Sequence, residues 1–196
     1  IVKIMERSEF TNIFKELGKK NIAIMGHMGS GKSLTGKILA KKLGFQHLDS
    51  DLEIIKLTNK SINQIFEEKG EQYFRSVETK TLLSLIEKKN VIISLGGGSI
   101  LDKLIRDKLI KKSITVFLDT SLKILEKRLK KSVKRPLLKN VDIKRKLKEL
   151  DFNRRKYYLQ ADIIIQNIDN PLNTYKNFIN EFFKFHEKTN SNKNYQ

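Results

Sequence analysis

Gly26-His27-Met28-Gly29-Ser30-Gly31-Lys32-Ser33 directly follows the apolar run Ile22-Ala23-Ile24-Met25 and opens a segment with helical spacing. A strand feeding such a turn aims successive backbone N–H groups, and the positive end of the next helix dipole, at one point. Glycines let the backbone close around phosphate oxygens where a side chain would collide. Lys32 can reach the β- and γ-phosphates of a nucleotide, and the Ser33 hydroxyl can join a Mg²⁺ shell. A turn that merely packs a helix on a strand needs neither residue. The loop does not say who receives the phosphate.

Three further groups could choose the acceptor. Asp49-Ser50-Asp51 carries two carboxylates that point the same way if the segment is extended. One could hold Mg²⁺ through water, the other could accept a proton or hydrogen bond from an alcohol. The competing use of Asp51 is a helix N-cap. Arg75 and Glu78, one helical turn apart, form either a surface ion pair or an oriented guanidinium for a substrate carboxylate. Gly96-Gly97-Gly98 is either a flexible turn or a place where a substrate touches bare backbone.

Alternating strands and helices must position these groups. Ile22–Met25 reads as the first strand, Lys32–Leu43 as a helix ended by Gly44, and 45–49 as the second strand. Helices are expected over 51–56, over 61–69 behind a Ser61/Gln64 capping box, and over 71–89. The continuous apolar run 91–95 marks a buried third strand. A helix over 101–110 leads to the fourth strand, 114–119, and another covers 121–130. Residues 131–140, containing Arg135-Pro136, break the pattern as a mobile loop. A helix resumes over 142–158, a fifth strand follows at 162–165, and Asn170-Pro171 caps the last helix. Its apolar stripe is Leu172, Tyr175, Phe178, Ile179 and Phe182.

Two terminal segments flank the domain expected over 21–186. Phe10, Ile13, Phe14 and Leu17 mark a short amphipathic helix in an N-terminal extension, 1–20, outside the core fold. Residues 187–196 lack apolar periodicity and read as a disordered tail. The domain itself reads as a three-layer α/β/α fold around a central five-stranded parallel sheet, with a mobile lid at about 131–140. Ligands of such sheets sit at the carboxyl ends of the strands. Gly26–Ser33, Asp49–Asp51 and Gly96–Gly98 all fall there.

Composition removes other classes. The 196 residues contain no cysteine, which excludes disulfides, thiolate catalysis and cysteine-based zinc sites. The first residues carry no apolar signal region, and no apolar run is long enough for a membrane span. A cytoplasmic location and a monomer are expected. Forty Lys+Arg against 22 Asp+Glu give a formal charge of +18. The excess is spread along the chain with few aromatics interleaved, so it reads as a solvated cationic surface around a phosphate-attracting site. No specific nucleic acid and no membrane is expected as a partner.

Taken in order, these pieces resemble the shikimate kinase family of P-loop kinases. The resemblance runs from about Asn21 to Phe183. It rests on Gly26–Ser33, Leu48-Asp49-Ser50-Asp51, Ile65-Phe66, Gly70-Glu71-Gln72-Tyr73-Phe74-Arg75-Ser76-Val77-Glu78, Leu95–Gly98, Arg135-Pro136-Leu137-Leu138, and Arg154 with Tyr158, Ala161 and Asp162. It implies a P-loop kinase fold and transfer of the ATP γ-phosphoryl group to the 3-hydroxyl of shikimate. That reaction is a step of chorismate and aromatic amino-acid biosynthesis.

The implied site is carried over residue by residue. Gly29, Ser30, Gly31, Lys32, Ser33 and Leu34 would bind ATP, with Arg128 stacking on adenine. Ser33 and, through water, Asp49 would hold one Mg²⁺. Asp51 would hold the shikimate hydroxyls, including the attacking one. Arg75 and Arg154 would clamp the carboxylate, with Gly96, Gly97 and Gly98 against the substrate. Arg135 would swing in with the lid to stabilise phosphoryl charge, so Lys32, Asp51 and Arg135 form the implied catalytic set. Tyr158 is only three residues before Ala161, where many members have four, and this leaves both Arg154 and Arg155 open as the second clamp. None of the three histidines is required. A kinase for gluconate or a nucleoside monophosphate, and a degenerate nucleotide-sensing protein, are the rival readings.

Overall fold

The computed structural model describes residues 7–130, 142–166 and 171–193. Five parallel strands form one sheet in the order β2-β3-β1-β4-β5: β1 (Asn21–Met25), β2 (Gln46–Asp49), β3 (Val91–Ser94), β4 (Ser113–Asp119) and β5 (Ile163–Gln166). The strand feeding the glycine-rich loop is therefore central, with Ala23 opposite Ile93 on one side and Thr115 on the other. All three site segments leave neighbouring strands at the same edge.

Strand alternation divides the interior into two cores. Ile22 and Ile24 join Ile92, Ile114, Val116 and Leu118 on one face, under α2 (Lys32–Leu43) and α8 (Pro171–Lys193). Ala23 and Met25 face the opposite core, with Ile93, Phe117 and Tyr158. That side is covered by α4 (Ile62–Ile86), α5 (Lys103–Lys112) and α7 (Ile143–Tyr158). The short α3 (Ser50–Thr58) packs on α4, and α6 (Leu122–Lys130) packs on α7.

Local signals explain several boundaries. Gly44 ends α2 in the left-handed conformation, φ 65°, and its N–H bonds to the Ala40 carbonyl. Ser61 and Gln64 form the capping box that opens α4. The two helices expected over 61–69 and 71–89 meet at Gly70, whose φ of 77° and ψ of 173° bend α4 five residues before Arg75.

Both terminal expectations need correction. Residues 7–16 form α1 (Arg7–Glu16), but this helix is not outside the core. Phe10 is fully buried, with ring centroids 4.7 Å from Phe182 and 6.5 Å from Phe178, and Phe14 packs on Phe45 at 5.8 Å. The apolar face of α8 packs on α1 as well as on α2 and β5. Residues 187–193 are helical, because α8 continues to Lys193. Extending an existing helix orders one residue per added hydrogen bond and needs no apolar face. Thr189 and Ser191 further bond to the Phe185 and Glu187 carbonyls at 2.8 and 3.0 Å. Arg135, the lid segment 131–140 and the Asn170 cap lie outside the described residues. Among the described residues, no helix is long and apolar enough to cross a membrane.

Candidate functional site

The glycine-rich loop folds tightly on itself. Gly31 stands at the N-cap of α2 and offers the N–H groups of the first turn no side-chain oxygen of its own. Lys32 Nζ donates to the carbonyls of Gly26 and His27, both at 2.9 Å. Arg128 reaches over from α6 to donate to the Gly29 carbonyl at 3.1 Å. Ser33 Oγ donates to Asp49 Oδ2 at 2.5 Å, which sets two hard oxygen ligands together at the end of the loop. That donor set suits Mg²⁺, which keeps several waters and binds through one or two protein oxygens plus substrate phosphates.

The aspartate pair is arranged differently from the extended expectation. β2 ends at Asp49 and α3 begins at Ser50, so Asp49, not Asp51, is the N-cap. Asp49 Oδ1 accepts from the Asp51 and Leu52 N–H groups at 3.1 and 3.4 Å while Oδ2 holds Ser33. Helix initiation, with its demand for an acceptor at the cap, interrupts the alternation that would aim both carboxylates one way. Asp51, relieved of capping, turns toward the triple glycine.

Gly96, Gly97 and Gly98 form a plate on which the other groups lie. A Cβ on Gly96 would stand 2.5 Å from Glu78 Oε1 and 3.0 Å from Asp51 Oδ1. On Gly97 it would stand 3.5 Å from Arg154 Nη1, from the Gly26 carbonyl and from the Met28 amide. On Gly98 it would meet the Arg75 guanidinium at 2.7–3.0 Å. Two carboxylates, two guanidinium groups and the phosphate-binding loop therefore converge on three residues without side chains.

Each charged group is held by neighbours. Arg75 donates to Glu78 at 2.6 Å and to Glu71 at 2.9 and 3.2 Å. Burial works against its charge, but Glu78 and Glu71 together raise its pKa. Burial pulls the Glu78 carboxyl upward, with the Arg75 charge pulling it back and Asp51 adding to the rise. Tyr158 donates to the Gly97 carbonyl at 2.7 Å, and burial pushes its phenol up to about 12 despite the nearby Arg154 charge.

The adjacent arginines have different surroundings. Arg154 is only 4% exposed, and its buried Nε has no hydrogen-bond partner. Arg155 turns away, gripping Asp119 at 3.0 and 3.2 Å. Sequence reading missed three arrangements: the burial of Glu78 beside Asp51, the bond from Tyr158 to Gly97, and the seating of His27 against α7. The His27 ring is buried, with Nε2 2.9 Å from Asp151 Oδ1. The order Phe-Arg-x-x-Glu signalled the first of these, whereas nothing local signalled the third.

Comparison with known proteins adds an independent line. The family model for shikimate kinase matches residues 28–185. The shikimate kinase of Persephonella marina is 44% identical over 146 residues, covering 74% of this chain and 88% of its own. The solved shikimate kinase from Acinetobacter baumannii in complex with shikimate superposes with a TM-score of 0.80 at 32% identity, covering 88% of this chain and 96% of that one. A gluconokinase from Sinorhizobium meliloti reaches a TM-score of 0.59 at 17% identity over 88% of this chain and 97% of that one, and shares the P-loop kinase fold alone.

Proposed function

The chain belongs to the shikimate kinase family, and on that premise we propose how its residues divide the transfer of a phosphoryl group from ATP to the 3-hydroxyl of shikimate. The enzyme serves aromatic amino-acid biosynthesis. The observation that carries the assignment of roles is the convergence of Asp51, Arg75, Arg154 and the P-loop on Gly96–Gly98. A small polyhydroxylated carboxylate presents one anionic end and several hydroxyls. The plate offers cations for the first and a carboxylate for the second.

On the donor side, the amides of Gly29, Ser30 and Gly31 and the first turn of α2, including Leu34, cradle the phosphates. Lys32 exchanges its two loop carbonyls for phosphate oxygens when ATP arrives. Arg128, already lying over the loop, stacks on the adenine. Ser33 and, through water, Asp49 would hold Mg²⁺, which would supply positive charge beside the phosphoryl oxygens.

On the acceptor side, Arg75 and Arg154 clamp the carboxylate, and Gly96–Gly98 let the ring lie against backbone. Arg154 is favoured over Arg155 because its buried Nε lacks a partner and its Nη1 faces Gly97, whereas Arg155 is occupied by Asp119. Asp51 accepts the hydrogen bond of the attacking hydroxyl and aligns its lone pair with the γ-phosphorus. The new P–O bond forms as the bond to the ADP oxygen breaks, and the hydroxyl proton passes to Asp51. Catalysis of this kind rests on in-line positioning and charge neutralisation. Arg135 supplies further positive charge, and closure of the segment around it excludes water.

A coupled assay of ADP release, offering shikimate, quinate, gluconate and nucleoside monophosphates in turn, tests this reading. ADP release dependent on shikimate is expected. Turnover of gluconate or a nucleoside monophosphate in its place would overturn it.

A further inference from the structure

His27 occupies the phosphate-binding loop, yet its side chain leaves that loop for α7. The ring is 2% exposed, its Nε2 lies 2.9 Å from Asp151 Oδ1, and its edge meets the Tyr158 ring at 5.0 Å with an interplanar angle of 85°. A carboxylate can only accept, so Nε2 carries the hydrogen and donates to Asp151. His27 Nδ1 is then a buried acceptor without a partner. A side chain placed at such a cost is held by what its other end does.

Asp151, Arg154 and Tyr158 stand at i, i+3 and i+7 of α7, which puts them on one stripe of the helix. His27 touches the first and the last of the three, and Arg154 lies between them, facing Gly97. Tyr158 in turn holds the Gly97 carbonyl at 2.7 Å, and the His27 carbonyl holds Lys32 at 2.9 Å. The His27 ring thus ties the loop to α7 on either side of Arg154, and Tyr158 carries that tie on to the glycine plate.

We propose that His27 is a positioning residue for the acceptor: through Asp151 and Tyr158 it sets α7 against the P-loop and so places Arg154 for the shikimate carboxylate. The proposal rests on the reading of Arg154 given above. It makes an uncommon demand of a P-loop residue, because damage at His27 must appear in shikimate binding and not in ATP binding.

Steady-state kinetics on the full chain test it with four single variants and one double variant. His27→Phe keeps a ring against Tyr158 and removes the donor. His27→Gln restores an Nε2 donor of similar reach. Asp151→Ala removes the acceptor, and Arg154→Ala reports on the clamp itself. His27→Phe is expected to raise the shikimate KM about tenfold, the worth of one hydrogen bond to a charged group, with the ATP KM changed less than about twofold. His27→Gln should return the shikimate KM to within about threefold of the parent. The double variant His27→Phe/Asp151→Ala should be no worse than Asp151→Ala, which already loses the His27 contact together with a 3.5 Å ion pair to Arg155. If His27→Phe does not fold, Asp151→Ala carries the same KM test. A raised shikimate KM in Arg154→Ala beside a normal one in His27→Phe and Asp151→Ala overturns this proposal alone. A normal shikimate KM in Arg154→Ala overturns the clamp reading and this proposal with it. A raised ATP KM with an unchanged shikimate KM in His27→Phe also overturns it.

Discussion

The Arg75 guanidinium lies so close to Gly98 that a Cβ there would stand 2.7 Å from Nη1 and 2.9 Å from Nη2. Gly98 itself has φ −97° and ψ −17°, a conformation that alanine adopts freely. Gly98→Ala should therefore leave the fold nearly untouched while displacing Arg75. We expect a shikimate KM raised roughly tenfold or more, with stability lowered by at most the roughly 1–3 kcal/mol of a buried acceptor losing its donor, because Arg75 Nη1 also holds Glu78 at 2.6 Å. Kinetics alongside a thermal melt separate the two effects. A normal KM would show that Arg75 need not stand where it does.

Arg75 has a second duty, as the counter-charge of Glu78, a carboxylate only 3% exposed. Arg75→Ala should lower stability by roughly 1–3 kcal/mol, since it leaves a buried acceptor without its donor. Adding Glu78→Gln removes the stranded charge and should recover much of that loss. The shikimate KM should stay high in the double variant. Urea unfolding and kinetics on the two proteins check this, and recovery of both quantities together would contradict the carboxylate clamp.

Asp51 and Arg135 are expected to govern turnover. Asp51→Asn should lower kcat by about 10²–10⁴ while ATP binding persists, as expected for loss of a group that handles the acceptor proton. Arg135→Ala should lower kcat by about 10³–10⁵, the range associated with an inserted arginine in related phosphoryl transfers. Nucleotide titration with single-turnover measurements distinguishes binding from chemistry. Near-normal turnover in either variant would remove that residue from the catalytic set.

Burial lowers the pKa of His27 and of His47 below 6.5, the effect outweighing Asp151 and Asp49 respectively. In the window below pH 6.5 the unfolded chain therefore binds more protons than the folded one, and stability rises with pH there. Melting temperature should fall as pH is lowered from about 6.5, before most carboxylates titrate. His47 bonds to Ser94 Oγ at 2.9 Å, and a Cβ on Gly36 would stand 2.6 Å from its ring, which leaves little room to hydrate an imidazolium. His47→Gln should flatten the pH dependence. An unchanged slope in that variant would assign the acid sensitivity elsewhere.

Much of the molecule was legible along the chain because its signals are local. The apolar runs at Ile22–Met25 and Val91–Leu95 can be buried only between two layers, and they became the central strands β1 and β3. Gly44, Ser61 with Gln64, and Gly70 punctuate helices through their own backbone and side chains, and each does so where expected. The glycine-rich loop reads directly because its function lies in consecutive amides. The amphipathic face of α1 and the apolar stripe of α8 were equally visible, but not that the two pack on each other.

What the sequence determined by itself was the set of parts: a phosphate-binding loop, an aspartate pair, an arginine with its glutamate, three glycines and five strands. Only the tertiary structure decided which way those parts point. Neighbours on a helix differ by about 100° in direction, so the docking of α7 alone turns Arg154 to Gly97 and Arg155 to Asp119. The start of α3 decides that Asp49 caps and Asp51 faces the plate. His27 meets Asp151 across 124 residues, a distance no local pattern encodes. Spacing along a chain sets which groups can share a face, but the packing of that face against others sets what they meet.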